Sequence, residues 1–176
     1  MARPVPIKVL PGCRGRIPVG ELRRVARFVL GAEAVAPAVE VDIVLADGDT
    51  VRDLNRLYRG RDEPTDVLSF GAQDEAGVEK RCGGPEDAPP IVAFIDAPEE
   101  APSLGEVIVC LPVAEEQARR GSRPVAGEVA HLLVHGLLHL LGHDHEEASD
   151  SAAMQTREDE LLDALGYAGG YEHGRH

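Results

Sequence analysis

The sequence predicts an α+β domain, a small mixed β-sheet packed with helices, one of which is largely buried. Three observations carry that expectation. Short strand-like runs occur at residues 39–43, 67–70 and 107–110. Segments with helical periodicity fall around them, as in an α+β arrangement rather than an all-helical or all-strand one. The longest of these, 124–141, is mostly apolar, as a helix enclosed by its own domain would be.

Taken in order, residues 7–10 form a short apolar run closed by Pro11 and Gly12, a candidate edge strand. After Pro18, Leu22, Val25, Ala26 and Val29 recur at i, i+3, i+4 and i+7, which predicts an amphipathic helix stopped by Gly31. Residues 39–43 (VEVDI) alternate with period two, the pattern of a half-buried strand. Asp49 or Thr50 is expected to cap a helix running to about Tyr58, with Val51, Leu54, Leu57 and Tyr58 facing inward. Between the strands at 67–70 and 107–110 lies an acidic, Gly/Pro-rich insertion within 71–103, whose apolar residues 91–95 can add a strand to an edge. Helices follow at about 112–120, 124–141 and 150–165, the last ending at Gly166.

A chain of 176 residues fits one domain, taken here as 1–176. With 43% hydrophobic and 28% charged residues it has the composition of a globular protein. Three Tyr, three Phe and no Trp exclude stacked aromatic platforms as the main device for gripping bases. No apolar run approaches the roughly 20 residues that span a bilayer, and the N-terminus lacks the apolar core of a secretory signal. Cys13, Cys82 and Cys110 are odd in number and widely spaced, which suits reduced thiols. These features predict a cytoplasmic protein. The net charge of −13 is concentrated in two stretches: 71–103 carries −6 and 144–163 carries −7, leaving the remainder neutral and free to present a local basic surface.

Five of the seven histidines fall between 131 and 145, in HLLVHGLLHLLGHDH. His135 and His139 are four apart on a helix, about 40° from one another in direction, so both imidazoles can reach one metal ion. His145 would face away if the helix continued. A left-handed Gly142 can end the helix and return the chain, making His145 the third ligand. Three histidines leave a fourth position open, as in catalytic zinc sites. His131, one turn earlier, is expected to pack or to support the ligands, and His143 to lie at the rim. The spacing matches the metzincin peptidase pattern H-E-x-x-H-x-x-G-x-x-H except that Gly136 stands where that pattern has its general-base Glu.

The same stretch, HGLLHLLGHDH, resembles the H-G-x-L-H-L-x-G-[YH]-D-H signature of the YbeY family of metal-dependent endoribonucleases. A second block, Leu54-Asn55 and YRGRDEPTDVLSFG (58–71), is similar to the family's L-N-x-x-Y-R-x-x-D-x-x-T-D-V-L-S-F-P. GEVIVC (105–110) is similar to its G-D-I-x-I, and the Met154…Glu158 helix follows in matching order. Departures are Gly71 for Pro, Glu106 for Asp, His143 where Tyr is common, Gln155 where Phe is usual, and a longer acidic insertion.

The resemblance implies a single-strand-specific endoribonuclease of rRNA maturation (16S rRNA 3′ end processing) and ribosome quality control, using one Zn2+ ion. It implies single-stranded RNA or rRNA as substrate and the ribosome, small-subunit proteins or an assembly GTPase as partners, with no membrane and no DNA. By position it makes Arg59 the functional arginine, and a planar guanidinium suits a phosphate. Arg52, Arg56 and Arg59 fall at i, i+4 and i+7, either a basic stripe or, for the first two, a solvated face paired with nearby acids. Arg119, Arg120 and Arg123 would extend that surface. Asp144 either orients a ligand imidazole or accepts a proton. Thr65, Asp66 and Ser69 are expected to be structural. The alternatives are a metallohydrolase of another class, such as an atypical peptidase, and a non-catalytic ribosome-assembly factor with a structural metal.

Overall fold

A computed structural model describes residues 4–72, 102–143 and 148–167, with the side chains of 148–150 left aside. The strands are β1 (Ile7–Val9), β2 (Glu40–Ala46), β3 (Val67–Gly71) and β4 (Ser103–Cys110). The helices are α1 (Val19–Ala32), α2 (Gly48–Arg59), α3 (Leu111–Arg120), α4 (Val125–Leu140) and α5 (Ala148–Leu165). The strands form one mixed sheet in the order β1-β2-β4-β3, with β1, β2 and β4 parallel and β3 antiparallel to β4. The expected α+β architecture is therefore present, and β1 is an edge strand.

Both sheet faces are covered. Val41, Ile43, Leu45, Val107 and Val109 point to one face and pack with residues of α1, α4 and α5, among them Leu22, Val29, Leu133, Leu137 and Leu162. Val44, Ala46, Leu68, Ile108 and Cys110 point to the other and pack under Val51 and Leu54 of α2. This explains why β2 alternates only at its start: from Ile43 to Ala46 it is buried on both sides. On α4, Leu133, Leu137 and Leu138 have no exposed surface, and full burial of such a side chain contributes about 1.5–3 kcal/mol. The helix expected to be buried is α4.

Three local expectations are corrected. Gly31 lies inside α1, which continues to Ala32; the left-handed residue that turns the chain is Ala34, φ 54°. The cap of α2 is Asp47, whose carboxylate accepts from the Thr50 backbone N–H at 2.9 Å, two residues earlier than expected. Tyr58 is 40% exposed rather than turned inward, its ring set edge-on to Phe70 at 5.1 Å, and the α2 position buried in its place is Asn55, which donates to the Glu63 carbonyl at 2.7 Å. The possible strand at 91–95 and most of the acidic insertion lie outside the described residues.

Candidate metal centre

Helix α4 crosses the sheet on the β3–β4 side, and its C-terminal half carries the predicted pair. His135 and His139 stand one turn apart with ring centroids 4.5 Å apart and planes at 80°, which brings their Nε2 atoms to 3.0 Å. Two imidazoles bound to one tetrahedral zinc at about 2.0–2.1 Å each would place those nitrogens roughly 3.3 Å apart, so the donor pair fits a shared cation. The other ring nitrogen of His135, Nδ1, lies 2.6 Å from Glu158 Oε1 on α5. A carboxylate there accepts the Nδ1 proton and leaves Nε2 as a lone pair, the form a metal requires.

Just past α4, Gly142 takes φ 88° and its N–H donates to the His139 carbonyl, while the His143 N–H donates to that of Leu138. The expected left-handed break is thus in place. His143 follows it with Nε2 3.3 Å from the Glu33 carboxylate at the end of α1. His145 and Asp144 lie outside the described residues. Among the described residues no three His, Cys, Asp or Glu side chains converge so as to hold one metal ion. The buried thiols of Cys13 and Cys110 take no part. Burial pushes Cys110 up to about 11, so it stays protonated at neutral pH.

Arg59 is the last residue of α2 and is exposed. The structure does not bring it against the histidines. The two lie on opposite flanks of β3: Ser69 of that strand donates to the Gly136 carbonyl of α4 at 3.2 Å, and Phe70, pointing the other way, holds Tyr58 beside Arg59. The rest of the arginine stripe is satisfied locally. Arg52 grips Asp62 through two bonds of 2.7 and 2.9 Å, and Arg56 pairs with Asp53 at 3.1 Å. Both follow the solvated-face reading. Arg59 forms no ion pair among the described residues.

Residues 19–166 match the family profile described as Endoribonuclease YbeY. The chain belongs to the YbeY endoribonuclease family. It is 43% identical over 138 residues to the Endoribonuclease YbeY of Dehalococcoides mccartyi, covering 78% of this chain and 76% of that one. It is 40% identical over 154 residues to the Endoribonuclease YbeY of Moorella thermoacetica, covering 85% and 90%. A solution structure from Thermotoga maritima superposes with a TM-score of 0.52 over 91% of both chains at 25% identity.

In this YbeY-family chain the glycine in place of a metzincin glutamate has a packing cause. A Cβ on Gly136 would lie 2.6 Å from Val107 Cγ1 and 3.0 Å from Ser69 Oγ. The position faces the sheet, where a carboxylate has no room. Around the YbeY signature the structure narrows the basic surface expected at 119–123 to two exposed arginines. Arg119 and Arg120 both pair with Glu116. Arg123 turns inward, 2.9 Å from the buried Glu128, whose other oxygen is 3.6 Å from Nδ1 of the equally buried His131. His131 is therefore a core residue beside Glu128, as expected. Asp66 is structural too: it is 5% exposed and accepts from the Val67 N–H and the Gln117 amide.

The residue that sequence reasoning did not assign to the site is Glu158. Its signal lay in the α5 pattern: with Met154, Leu161, Leu162 and Leu165 it occupies the buried face, a lone acid in an apolar stripe. Among the described residues no helix is long and apolar enough to cross a membrane.

Proposed function

We propose that this YbeY-family chain is a zinc-dependent endoribonuclease that cuts single-stranded RNA, acting in the cytoplasm in maturation of the 16S rRNA 3′ end and in ribosome quality control. The observation that supports it most is the convergence of the His135 and His139 Nε2 atoms, 3.0 Å apart, at the end of an otherwise apolar helix. His135, His139 and, beyond the Gly142 turn, His145 would hold one Zn2+ ion. When bound, the ion supplies Lewis acidity toward the phosphodiester and acidifies water at neutral pH.

The chain's own residues supply the rest. Arg59, exposed and without a local ion pair among the described residues, is suited to take a non-bridging phosphate oxygen through its planar fork. Asp144, between two histidines in sequence, either orients a ligand or accepts a proton. The proposed partners are rRNA on the ribosome, small-subunit proteins and an assembly GTPase, with neither membrane nor DNA among them. Peptide hydrolysis is disfavoured because Gly136 leaves neither a general base nor room for one.

Cleavage of a labelled single-stranded RNA by zinc-loaded protein, beside an identically purified His139→Ala variant, tests the reading. Cutting by the wild type alone is expected. Equal cutting by both would assign the activity to a contaminant. Silence from both, even with ribosomal subunits as substrate, would favour the assembly-factor alternative.

A further inference from the structure

We infer that Glu158 is the positioning residue of the proposed metal centre: by accepting the Nδ1 proton of His135 it fixes the ring so that Nε2 presents its lone pair toward His139. The inference rests on the reading of His135 and His139 as metal ligands.

Glu158 has no exposed surface, and the residues that share its face of α5 are apolar: Met154, Leu161, Leu162 and Leu165. A carboxylate in such a layer is costly to bury unless it is paired and hydrogen-bonded, and a leucine would pack there without that cost. What it gains in exchange is the 2.6 Å bond to His135, short as bonds to ionised acceptors are. The two imidazole nitrogens lie on opposite sides of the ring, so a partner fixed at one aims the other. That the aim is effective is visible in the 3.0 Å approach of the two Nε2 atoms.

The depth of Glu158 is itself set by its neighbour. Arg157 reaches the Glu33 carboxylate at the end of α1 (Nε to Oε1, 2.7 Å), and Glu33 Oε2 lies 3.3 Å from His143 in the turn after α4. Consecutive residues of α5 thus tie it to the helix that carries the two histidines and, through α1, to the turn that leads toward His145. A group placed only to fill space would need neither the charge nor this registration.

The test is zinc affinity, read by competition with a chromophoric chelator, on the full chain and its Glu158→Gln variant. Loss of a carboxylate behind a metal-bound histidine is expected to weaken zinc binding on the order of 10- to 100-fold. Thermal unfolding of the zinc-free proteins should meanwhile stay similar. In a His135→Ala background the same substitution should cost no further affinity, since its action passes through that ring. Unchanged affinity in Glu158→Gln, or losses that simply add in the double variant, would overturn the inference while leaving the metal reading intact. Wild-type protein that binds no zinc would overturn both. Should Glu158→Gln fail to fold, nitrogen NMR of the zinc-loaded wild type decides: a proton on His135 Nδ1 is expected, and a proton on Nε2 would overturn the assignment.

Discussion

Helices α4 and α2 each carry three polar residues at helical spacing: His131, His135 and His139 on the first, Arg52, Arg56 and Arg59 on the second. Their surroundings give these patterns different weight. Helix α4 packs against α1, α3, α5 and the sheet, so its histidines sit among buried neighbours: His131 is beside the buried Glu128 one turn back on the same helix, and His135 meets Glu158 of α5. Helix α2 presents its arginines to solvent, where Asp62, ten positions on, and Asp53, three positions back, neutralise two of them. Polar spacing on an enclosed helix therefore points to chemistry. On an exposed helix the same spacing is mostly local charge compensation, and the residue that stands out is the one left over, Arg59.

Substitutions at four positions test that contrast. The largest expected effect is at Gly136. Gly136→Glu should prevent stable folding, and Gly136→Ala should cost about 1–2 kcal/mol in denaturant unfolding, overpacking against Val107 exceeding what alanine gains in helix propensity. A wild-type Gly136→Ala midpoint would mean that α4 is not seated as tightly as its contacts indicate.

Next is Arg59→Ala, expected to slow RNA cleavage on the order of a hundredfold by removing a phosphate donor, with zinc affinity unchanged. Arg59→Lys should restore part of the rate, as a point charge without the fork. Cleavage insensitive to both would return Arg59 to the class of its two neighbours.

A smaller effect is expected at the start of α2. Asp47 is held below the ordinary carboxylate range, chiefly by the hydrogen bond from the Thr50 backbone N–H. Its contribution is complete above the unfolded value near pH 4 and is lost as pH falls through the lower folded value. Asp47→Ala should therefore cost about 1 kcal/mol at pH 7, with wild type and variant converging toward pH 2. A pH-independent difference would assign the loss to packing instead. Smallest of all, Arg52→Ala should leave both unfolding midpoint and cleavage unchanged, because its pair with Asp62 is solvent-exposed.

The same contrast explains what the sequence made legible. Period-two and 3.6-residue patterns are local, so the five described α-helices and the four described strands could be placed within a few residues, though the 3-10 turn at Pro11–Cys13 was not. The order β1-β2-β4-β3 could not, since pairing β2 with β4 joins segments about 60 residues apart. Asp47 was missed because Asp47, Asp49 and Thr50 are all competent caps, and only the backbone path selects one. Arg123 reads as a surface charge until α4 is seen to carry Glu128 inward beside it. In the proposed metal centre, His135 and His139 were legible because four-residue spacing alone makes them neighbours. Glu158 and Glu33 were not, because their partners lie 23 and 110 positions away.

We propose the α4 pair as a metal site rather than two packed imidazoles. Calorimetric titration of metal-free protein with zinc tests it most directly. One zinc per chain, with binding abolished or weakened by orders of magnitude in His139→Ala and retained in Arg59→Ala, is the predicted result. No saturable binding, or equal binding by wild type and His139→Ala, would contradict it.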